Sequence, residues 1–128
     1  MKFLLIDDSR TMRNIQKKAL SEFEGAEFVE AGDGVEAMAA VAREPGGFAI
    51  VLSDWNMPNM DGLEFTKKFR EQNKTTPVIM VTTEGEKAKI VEAIRAGANN
   101  YVVKPFTTEI LLERVRKTLG VLKPAAAS

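Results

Sequence analysis

The sequence predicts an α/β domain built on a five-stranded, doubly wound parallel sheet. Three observations predict it. Strand-like apolar runs alternate with helical patterns five times, three of these runs are almost unbroken by polar residues, and helix-capping residues stand at the junctions. A chain of 128 residues, 45% of them hydrophobic, is the size of one such domain. The common strand order for five βα units is 2-1-3-4-5.

Each predicted strand is a short run rich in apolar, β-branched or aromatic residues. The first, third and fourth runs lack the polar alternation of a half-exposed strand, so we expect helices to cover both of their faces. In chain order the runs are FLLI (3–6), EFVEA (27–31), FAIVLS (48–53), PVIMVT (77–82) and NYVVK (100–104).

Each predicted helix repeats apolar residues near the helical period, which creates a face that can pack on the sheet. The patterns cover residues 9–22, 33–43, 61–71, 85–96 and 107–119. Their apolar positions include Ile15, Val35, Val91, Ile94 and Ile110. Capping residues agree with these bounds: Asp8 or Ser9, Asp33, Asp61 and Thr107 can cap helix starts, and Gly25, Gly97 and Gly120 follow helix ends.

Composition excludes several classes of protein. With Cys 0 and His 0 there are no disulfides, no thiolate chemistry, and neither the commonest general base nor the commonest metal ligand. Lys+Arg 18 against Asp+Glu 18 argues against nucleic acid or an anionic membrane as the main partner. We expect a cytoplasmic protein, because the start resembles no signal peptide and no apolar run approaches the roughly 18 residues of a membrane span.

Carboxylates end two neighbouring strands of the predicted sheet. Asp7 and Asp8 follow the first strand, and Asp54 ends the third. In a sheet of this order, ligands bind in the crevice between those strands, so we expect the three carboxylates to converge there. Like charges this close need a cation, and Mg²⁺ is the natural partner because it takes carboxylate, water and phosphate oxygens. The backbone carbonyl of Asn56 is a further candidate ligand.

Two more polar side chains arrive at the same edge of the predicted sheet. Thr82 ends the fourth strand and Lys104 ends the fifth. A carboxylate nucleophile, a metal, a lysine and a hydroxyl are the parts of a phosphoryl-transfer site, with Asp54 as the nucleophile. Any chemistry must run on such groups, since histidine and cysteine are absent from the sequence.

Several of these residues have a purely structural alternative. Asp8 can serve as a helix cap, Thr82 as a loop hydroxyl and Tyr101 as a half-buried strand aromatic. The segment GDGVEA (32–37) formally fits a dinucleotide-binding fingerprint. It follows the second strand at the sheet edge rather than the first, so an N-cap role for Asp33 explains it better.

Four segments in register carry a resemblance to a known family. LLIDDS, LSDWNMPNMDGLEF, VIMVTTE and YVVKPFT resemble the receiver domain of two-component response regulators, and the chemotaxis regulators are the most similar members. The match covers residues 2–120, which we take as a receiver domain over 1–120 followed by a flexible tail over 121–128. The resemblance implies the flavodoxin-like (βα)5 receiver fold and a signalling domain rather than an enzyme.

The resemblance also implies roles for individual residues. It implies that Asp54 is the phospho-acceptor and that Mg²⁺ is bound by Asp7, Asp8, Asp54 and the backbone carbonyl of Asn56. Thr82 and Tyr101 are then switch residues, and Lys104, ahead of a cis Pro105, binds the phosphate. Asn56 and Glu84 tune the hydrolysis of the phosphate. A short-lived phosphorylated state is expected. Thr83 departs from the small residue common at its position, and Ser9 is smaller than the aromatic of some chemotaxis members.

The implied partners are a histidine kinase of the CheA type, which donates the phosphoryl group, and a flagellar motor switch protein or a phosphatase. The output is then binding by a monomer through the face of the fourth helix, fifth strand and fifth helix. Phosphotransfer within a relay is an alternative, as is a scaffold that works without phosphorylation. A metal-dependent phosphatase is a rival from another class, but it needs an aspartate where this chain has Asn56.

Overall fold

The computed structural model describes residues 1–120, and the tail predicted over 121–128 lies outside the described residues. The strands are β1 (Lys2–Ile6), β2 (Glu27–Ala31), β3 (Ile50–Ser53), β4 (Val78–Thr82) and β5 (Asn100–Val103). The helices are α1 (Arg10–Leu20), α2 (Gly34–Arg43), α3 (Gly62–Gln72), α4 (Lys87–Ala96) and α5 (Thr108–Leu119). Among the described helices, none combines the length and the apolar character that crossing a membrane requires.

The five strands form one parallel sheet in the order β2-β1-β3-β4-β5, which confirms the predicted topology. The chain reverses its direction of winding between β1 and β3, and this is where a doubly wound sheet opens a crevice at its carboxyl edge. Every residue of β3 and β4 is buried, as their unbroken apolar runs predict.

Helices cover both faces of the sheet because side chains alternate along each strand. Along β1, Phe3 and Leu5 belong to a core cluster that also contains residues of α1 and α5. Leu4 and Ile6 point the other way and belong to a second cluster with residues of α2 and α3. The sheet is therefore the middle layer of a three-layer domain, and its carboxyl edge is left for polar groups.

Four of the helix starts carry the side-chain caps that the sequence predicts. Ser9, Asp33, Asp61 and Thr107 each accept a hydrogen bond from a backbone N–H in the first turn of their helix. Gly97 and Gly120 close α4 and α5 in the left-handed conformation that favours glycine. The end of α1 differs from the prediction, since the helix stops at Leu20, five residues before Gly25, and has Ser21 as its cap.

The helical apolar stripes are wider than the faces that the helices bury. The predicted inward positions Ile15, Val35, Val91, Ile94 and Ile110 are all exposed. In α1 the neighbouring Gln16 is buried instead. In α4 the only buried residue is Ala93, and Ile90 is half-buried, so this helix contacts the core over a narrow face and leaves Val91 and Ile94 exposed.

Candidate functional site

The carboxyl ends of β1 and β3 bring three carboxylates together. The two strands pair in parallel up to Ile6 and Ser53, so the residues that follow them emerge side by side. One carboxylate oxygen from each of Asp7, Asp8 and Asp54 lies within 4.8 Å of the others. Asp7 is buried, Asp54 is half-buried and Asp8 is exposed, so the cluster opens to solvent on the Asp8 side.

A lysine at the end of β5 reaches this cluster. Lys104 Nζ donates a hydrogen bond to Asp7 Oδ2 at 2.9 Å and lies 3.4 Å from Asp54 Oδ2. The backbone N–H of Lys104 bonds to the carbonyl of Thr82 at 2.9 Å, which fixes the start of the side chain. The peptide bond between Lys104 and Pro105 is cis. The single ammonium is thus shared by two carboxylates.

Asp54 is fixed at the sheet edge by its backbone and its side chain. Its N–H donates to the carbonyl of Ile6 at 2.8 Å, and its Oδ1 accepts the N–H of Trp55 at 2.7 Å. Burial raises the pKa of the Asp54 carboxyl, Lys104 opposes this shift, and the neighbouring Asp7 adds to it. The folded state therefore disfavours the ionised form of Asp54, and a bound cation would reduce this electrostatic penalty.

The donor set fits a hard divalent cation. The three side chains offer only oxygen, which is the ligand type that Mg²⁺ takes, and no histidine or cysteine occurs in the sequence. Three carboxylates facing one ammonium leave an excess of negative charge when all are ionised. Part of the cluster is open to solvent, so waters or a ligand can complete the coordination of a cation.

Asp8 does not cap α1, because the Ser9 side chain accepts the N–H of Met12 at 3.1 Å. The structural alternative for Asp8 is therefore wrong, and its carboxylate stays with the cluster. Asp7 is held more firmly, since its Oδ1 accepts the N–H of Ser9 at 2.8 Å.

Of the predicted switch and tuning residues, Thr82 ends β4 and Tyr101 lies within β5, while Glu84 and Asn56 lie on the loops after β4 and β3. Thr82 is buried, and its hydroxyl oxygen accepts the N–H of Glu84 at 3.0 Å. Glu84 in turn accepts a hydrogen bond from the Asn56 side-chain amide at 3.3 Å, which connects the loop after β4 to the loop after β3. Thr83 is exposed.

Tyr101 lies on β5, in the small apolar cluster that also contains Trp55 and Met80. Its carbonyl accepts a hydrogen bond from Arg114 at 2.8 Å, and the guanidinium carbon of Arg114 lies 5.6 Å from the centre of the Tyr101 ring. Tyr101 is half-buried, as expected for a strand aromatic. It thus shares one cluster with the residue that follows Asp54.

Sequence reasoning missed the importance of Gly62. A Cβ at this position would lie 1.9 Å from the backbone oxygen of Asp54 and 3.0 Å from Ser53 Oγ. The N–H of Gly62 also bonds to the carbonyl of Trp55 at 2.8 Å. The start of α3 therefore presses directly on the backbone of Asp54, and only glycine fits there. The signal in the sequence was a glycine at the first position of a predicted helix.

A contact between two loops was missed as well. The Asn59 amide donates to Asp33 Oδ2 at 2.7 Å, while Asp33 Oδ1 accepts the N–H of Glu36 at 2.8 Å. These hydrogen bonds lower the pKa of the buried Asp33 carboxyl. The bond holds the loop after β3 against the start of α2, with Asn59 at a φ of 66°. Its partners are far apart in sequence, so no local pattern predicts it.

Comparisons with protein families and with individual proteins indicate one and the same family. Residues 3–116 match the family model described as response regulator receiver domain. A chemotaxis protein CheY homolog of Campylobacter jejuni is 46% identical over 122 residues, covering 94% of this chain and 93% of that protein. Chemotaxis protein CheY1 of Helicobacter pylori is 46% identical over 122 residues, covering 94% of this chain and 98% of that protein.

Solved structures are similar along nearly the whole chain. In the CheX-CheY-BeF3-Mg complex from Borrelia burgdorferi, the similar chain has a TM-score of 0.87 at 27% identity, covering 96% of this chain and 90% of that one. Chemotaxis response regulator CheY4 of Vibrio cholerae gives a TM-score of 0.83 at 39% identity, covering 91% of this chain and 97% of that one.

Proposed function

The chain belongs to the response regulator receiver domain family, and from that premise we propose that Asp54 accepts a phosphoryl group from a histidine kinase. The observation that carries the proposal is the convergence of three carboxylates, within 4.8 Å of one another, on the ammonium of Lys104. An acceptor carboxylate beside a cation site and a fixed lysine is the arrangement that phosphoryl transfer requires.

In the proposed reaction a carboxylate oxygen of Asp54 attacks the phosphorus of a phosphohistidine. The O–P bond forms as the P–N bond breaks, and the electron pair of the broken bond returns to the imidazole nitrogen. Water later attacks the aspartyl phosphate, which restores the carboxylate and releases inorganic phosphate. No general base is needed for the first step, because an ionised carboxylate is already a nucleophile.

Mg²⁺ is the proposed cation, held by the carboxylates of Asp7, Asp8 and Asp54 and by the backbone carbonyl of Asn56. When bound, it neutralises negative charge on the acceptor carboxylates and on the phosphoryl oxygens. Lys104 would bind a phosphoryl oxygen as a point charge, since its ammonium has three N–H donors and its present hydrogen bond to Asp7 uses one of them.

Thr82 and Tyr101 are the proposed switch residues. The hydroxyl of Thr82 now accepts the N–H of Glu84, so a move towards a phosphoryl group on Asp54 would exchange this bond for another. Tyr101 shares an apolar cluster with Trp55, so a change at the acceptor can reach it by packing. The equilibrium between two arrangements then controls the output.

The proposed output surface is the face formed by α4, β5 and α5. Ile94, Val103 and Ile110 are exposed on these elements, which gives the face apolar contact area. The named relatives are chemotaxis proteins, and one similar structure is a complex with CheX, BeF3 and Mg. We therefore propose a role in chemotaxis, with a motor switch component or a phosphatase as binding partner.

Asn56 and Glu84 are proposed to tune hydrolysis of the phosphate. Their side chains meet at 3.3 Å and lie on the two loops that border the acceptor. Both are polar and at least partly exposed, so they leave a path for the attacking water. This arrangement supports the proposal of a short-lived phosphorylated state.

The test is titration of the intrinsic fluorescence of Trp55 with Mg²⁺ and then with acetyl phosphate. Trp55 is the single tryptophan, follows Asp54 directly and bonds to its carboxylate, so it reports on that group. We expect a saturable Mg²⁺ response and a further change with the phosphodonor that is absent in Asp54→Asn. Asp61→Asn is the matched control, because Asn keeps the α3 cap on the same loop. Radiolabelled donor that labels Asp54→Asn as strongly as the wild type would overturn the assignment.

A further inference from the structure

Asp7 is fixed by hydrogen bonds at each of its polar positions. Its N–H donates to the carbonyl of Ala31 at 3.0 Å, Oδ1 accepts the Ser9 N–H at 2.8 Å, and Oδ2 accepts from Lys104 at 2.9 Å. The remaining group, its backbone carbonyl, accepts a hydrogen bond from the guanidinium of Arg13 at 2.5 Å. This carbonyl belongs to the peptide unit that joins Asp7 to Asp8.

Arg13 is itself held in place from the other side. Its Nε donates to Glu30 Oε1 at 2.9 Å, and the other oxygen of Glu30 accepts from Lys17 at 2.9 Å. These bonds, with that from Lys17 the strongest cause, lower the pKa of the Glu30 carboxyl, so the group that anchors Arg13 stays ionised. The Arg13 side chain is 16% exposed against 34% for Lys17, so Arg13 is the more enclosed cation.

We propose that Arg13 is a positioning residue for the acidic pair, acting on the peptide between Asp7 and Asp8. The orientation of this peptide sets the backbone angles on both sides of it, and therefore the direction in which both carboxylates point. A planar guanidinium can hold the carbonyl with one nitrogen and Glu30 with another, which a lysine cannot do in the same geometry. Outer contacts of this kind commonly change metal affinity by about 10 to 100-fold.

The inference rests on the proposed function, because it concerns the cation site of that proposal. The same ion-pair network contains a matched control, because Lys17 shares Glu30 with Arg13. Arg13→Gln and Lys17→Gln each remove one positive charge and one bond to Glu30, but only Arg13→Gln removes the contact with Asp7. A difference between the two variants therefore isolates the contact with the acidic pair.

The experiment is isothermal titration of the metal-free proteins with Mg²⁺, with circular dichroism to establish that each variant is folded. We expect Arg13→Gln to raise the Mg²⁺ Kd about tenfold. Lys17→Gln should stay within about twofold of the wild type, as expected for a surface ion pair outside the site. Arg13→Lys keeps the positive charge but lacks the planar guanidinium that contacts the Asp7 carbonyl and Glu30 together, so its Mg²⁺ Kd should stay near that of Arg13→Gln.

Equal Kd values for Arg13→Gln and Lys17→Gln would overturn the positioning role, as would full affinity in Arg13→Lys, which would mean that charge alone matters. These outcomes leave the cation site itself intact. A wild-type protein that takes up no Mg²⁺ would instead overturn the cation site of the proposed function, and the role of Arg13 with it. Arg13→Lys keeps the positive charge and the bond to Glu30 but not the contact with the Asp7 carbonyl, so it tests the proposal if Arg13→Gln fails to fold.

Discussion

Lys104 and Asp7, 97 positions apart in the chain, form a hydrogen-bonded ion pair of 2.9 Å at the base of the acidic cluster. The Asp7 side chain is 1% exposed, whereas Asp54, the proposed acceptor, is 12% exposed and lies further from the ammonium at 3.4 Å. The resting bond of Lys104 is thus to the buried carboxylate rather than to the acceptor. Lys104 therefore stabilises the fold through its ion pair with Asp7, independently of its proposed role in binding a phosphoryl group.

Lys104→Met should destabilise the metal-free protein by about 3 kcal/mol at neutral pH, because it leaves the buried Asp7 carboxylate without its cationic partner. Urea unfolding in the presence of a chelator measures the effect. In the double variant with Asp7→Asn the loss should be smaller than the sum of the single losses, with a coupling of at least about 1 kcal/mol. Strict additivity would mean that the ion pair contributes nothing to the fold.

Asp54→Asn should raise the free energy of unfolding of the metal-free protein at neutral pH. Burial and the neighbouring Asp7 raise the pKa of the Asp54 carboxyl, so the folded state favours the neutral form, which an amide imitates. The advantage should fade as the pH falls through the raised pKa, because the wild-type carboxyl then becomes neutral too. Urea unfolding in chelator at several pH values tests this.

Addition of Mg²⁺ should have the opposite effect on the stability difference between the wild type and Asp54→Asn. The proposed cation site exists only in the folded state, so Mg²⁺ should stabilise the wild type more as its concentration rises, whereas Asp54→Asn lacks one of the proposed ligands. The stability gap between the two proteins should therefore narrow or reverse as Mg²⁺ increases. A gap that is independent of both pH and Mg²⁺ would contradict the electrostatic account of the cluster.

Asp33→Ala should cost about 1 to 2 kcal/mol of stability at pH 6, because it removes the cap of α2 and the acceptor of the Asn59 amide. The pKa of Asp33 is lowered from its ordinary value of 3.8, so its ionised form stabilises the fold above that pH. The difference between wild type and variant should shrink as the pH falls through the lowered pKa. Acid titration of urea midpoints measures it.

Asn59→Gly is the matched variant for the other end of this bond. Glycine tolerates the positive φ of 66° at this position, so the variant loses the amide without adding backbone strain. The expected cost is about 1 kcal/mol, the usual contribution of one hydrogen bond. A cost near zero would mean that the loop after β3 is held by other contacts, such as the bond from Gly34 N–H to the carbonyl of Met60.

The sequence predicted those features that depend on local patterns. The β4 strand was predicted over 77–82 and is observed as Val78–Thr82. The prediction succeeded because a short, unbroken apolar run bounded by polar residues favours a buried strand. The convergence of Asp7 and Asp54 was predicted from strand order alone, since parallel strands expose their carboxyl ends at one edge. Caps such as Ser9 and Thr107 were predicted because capping is a contact within a few residues.

Features that depend on three-dimensional packing could not be predicted. Ile15 and Ile94 fit the helical stripe but are exposed, because the depth at which a helix packs on the sheet decides which edge of the stripe is covered. The bond between Asn59 and Asp33 and the contact of Arg13 with Asp7 join separate elements and have no local signal. Gly62 has a local signal, a glycine at the start of a predicted helix, but its role follows from how closely α3 approaches β3, which the sequence does not show.

Gly62→Ala should destabilise the protein by about 3 kcal/mol, although alanine has the better helix propensity by about 1 kcal/mol. The new methyl group would lie 1.9 Å from the Asp54 backbone oxygen, so either the start of α3 or the backbone of the acceptor must move. Gly46→Ala is the control, because a Cβ there meets nothing within 4 Å. We also expect weaker Mg²⁺ binding in folded Gly62→Ala, measured by Trp55 fluorescence, since the displaced backbone carries a proposed ligand. Equal stability of the two variants would mean that α3 can shift freely relative to β3.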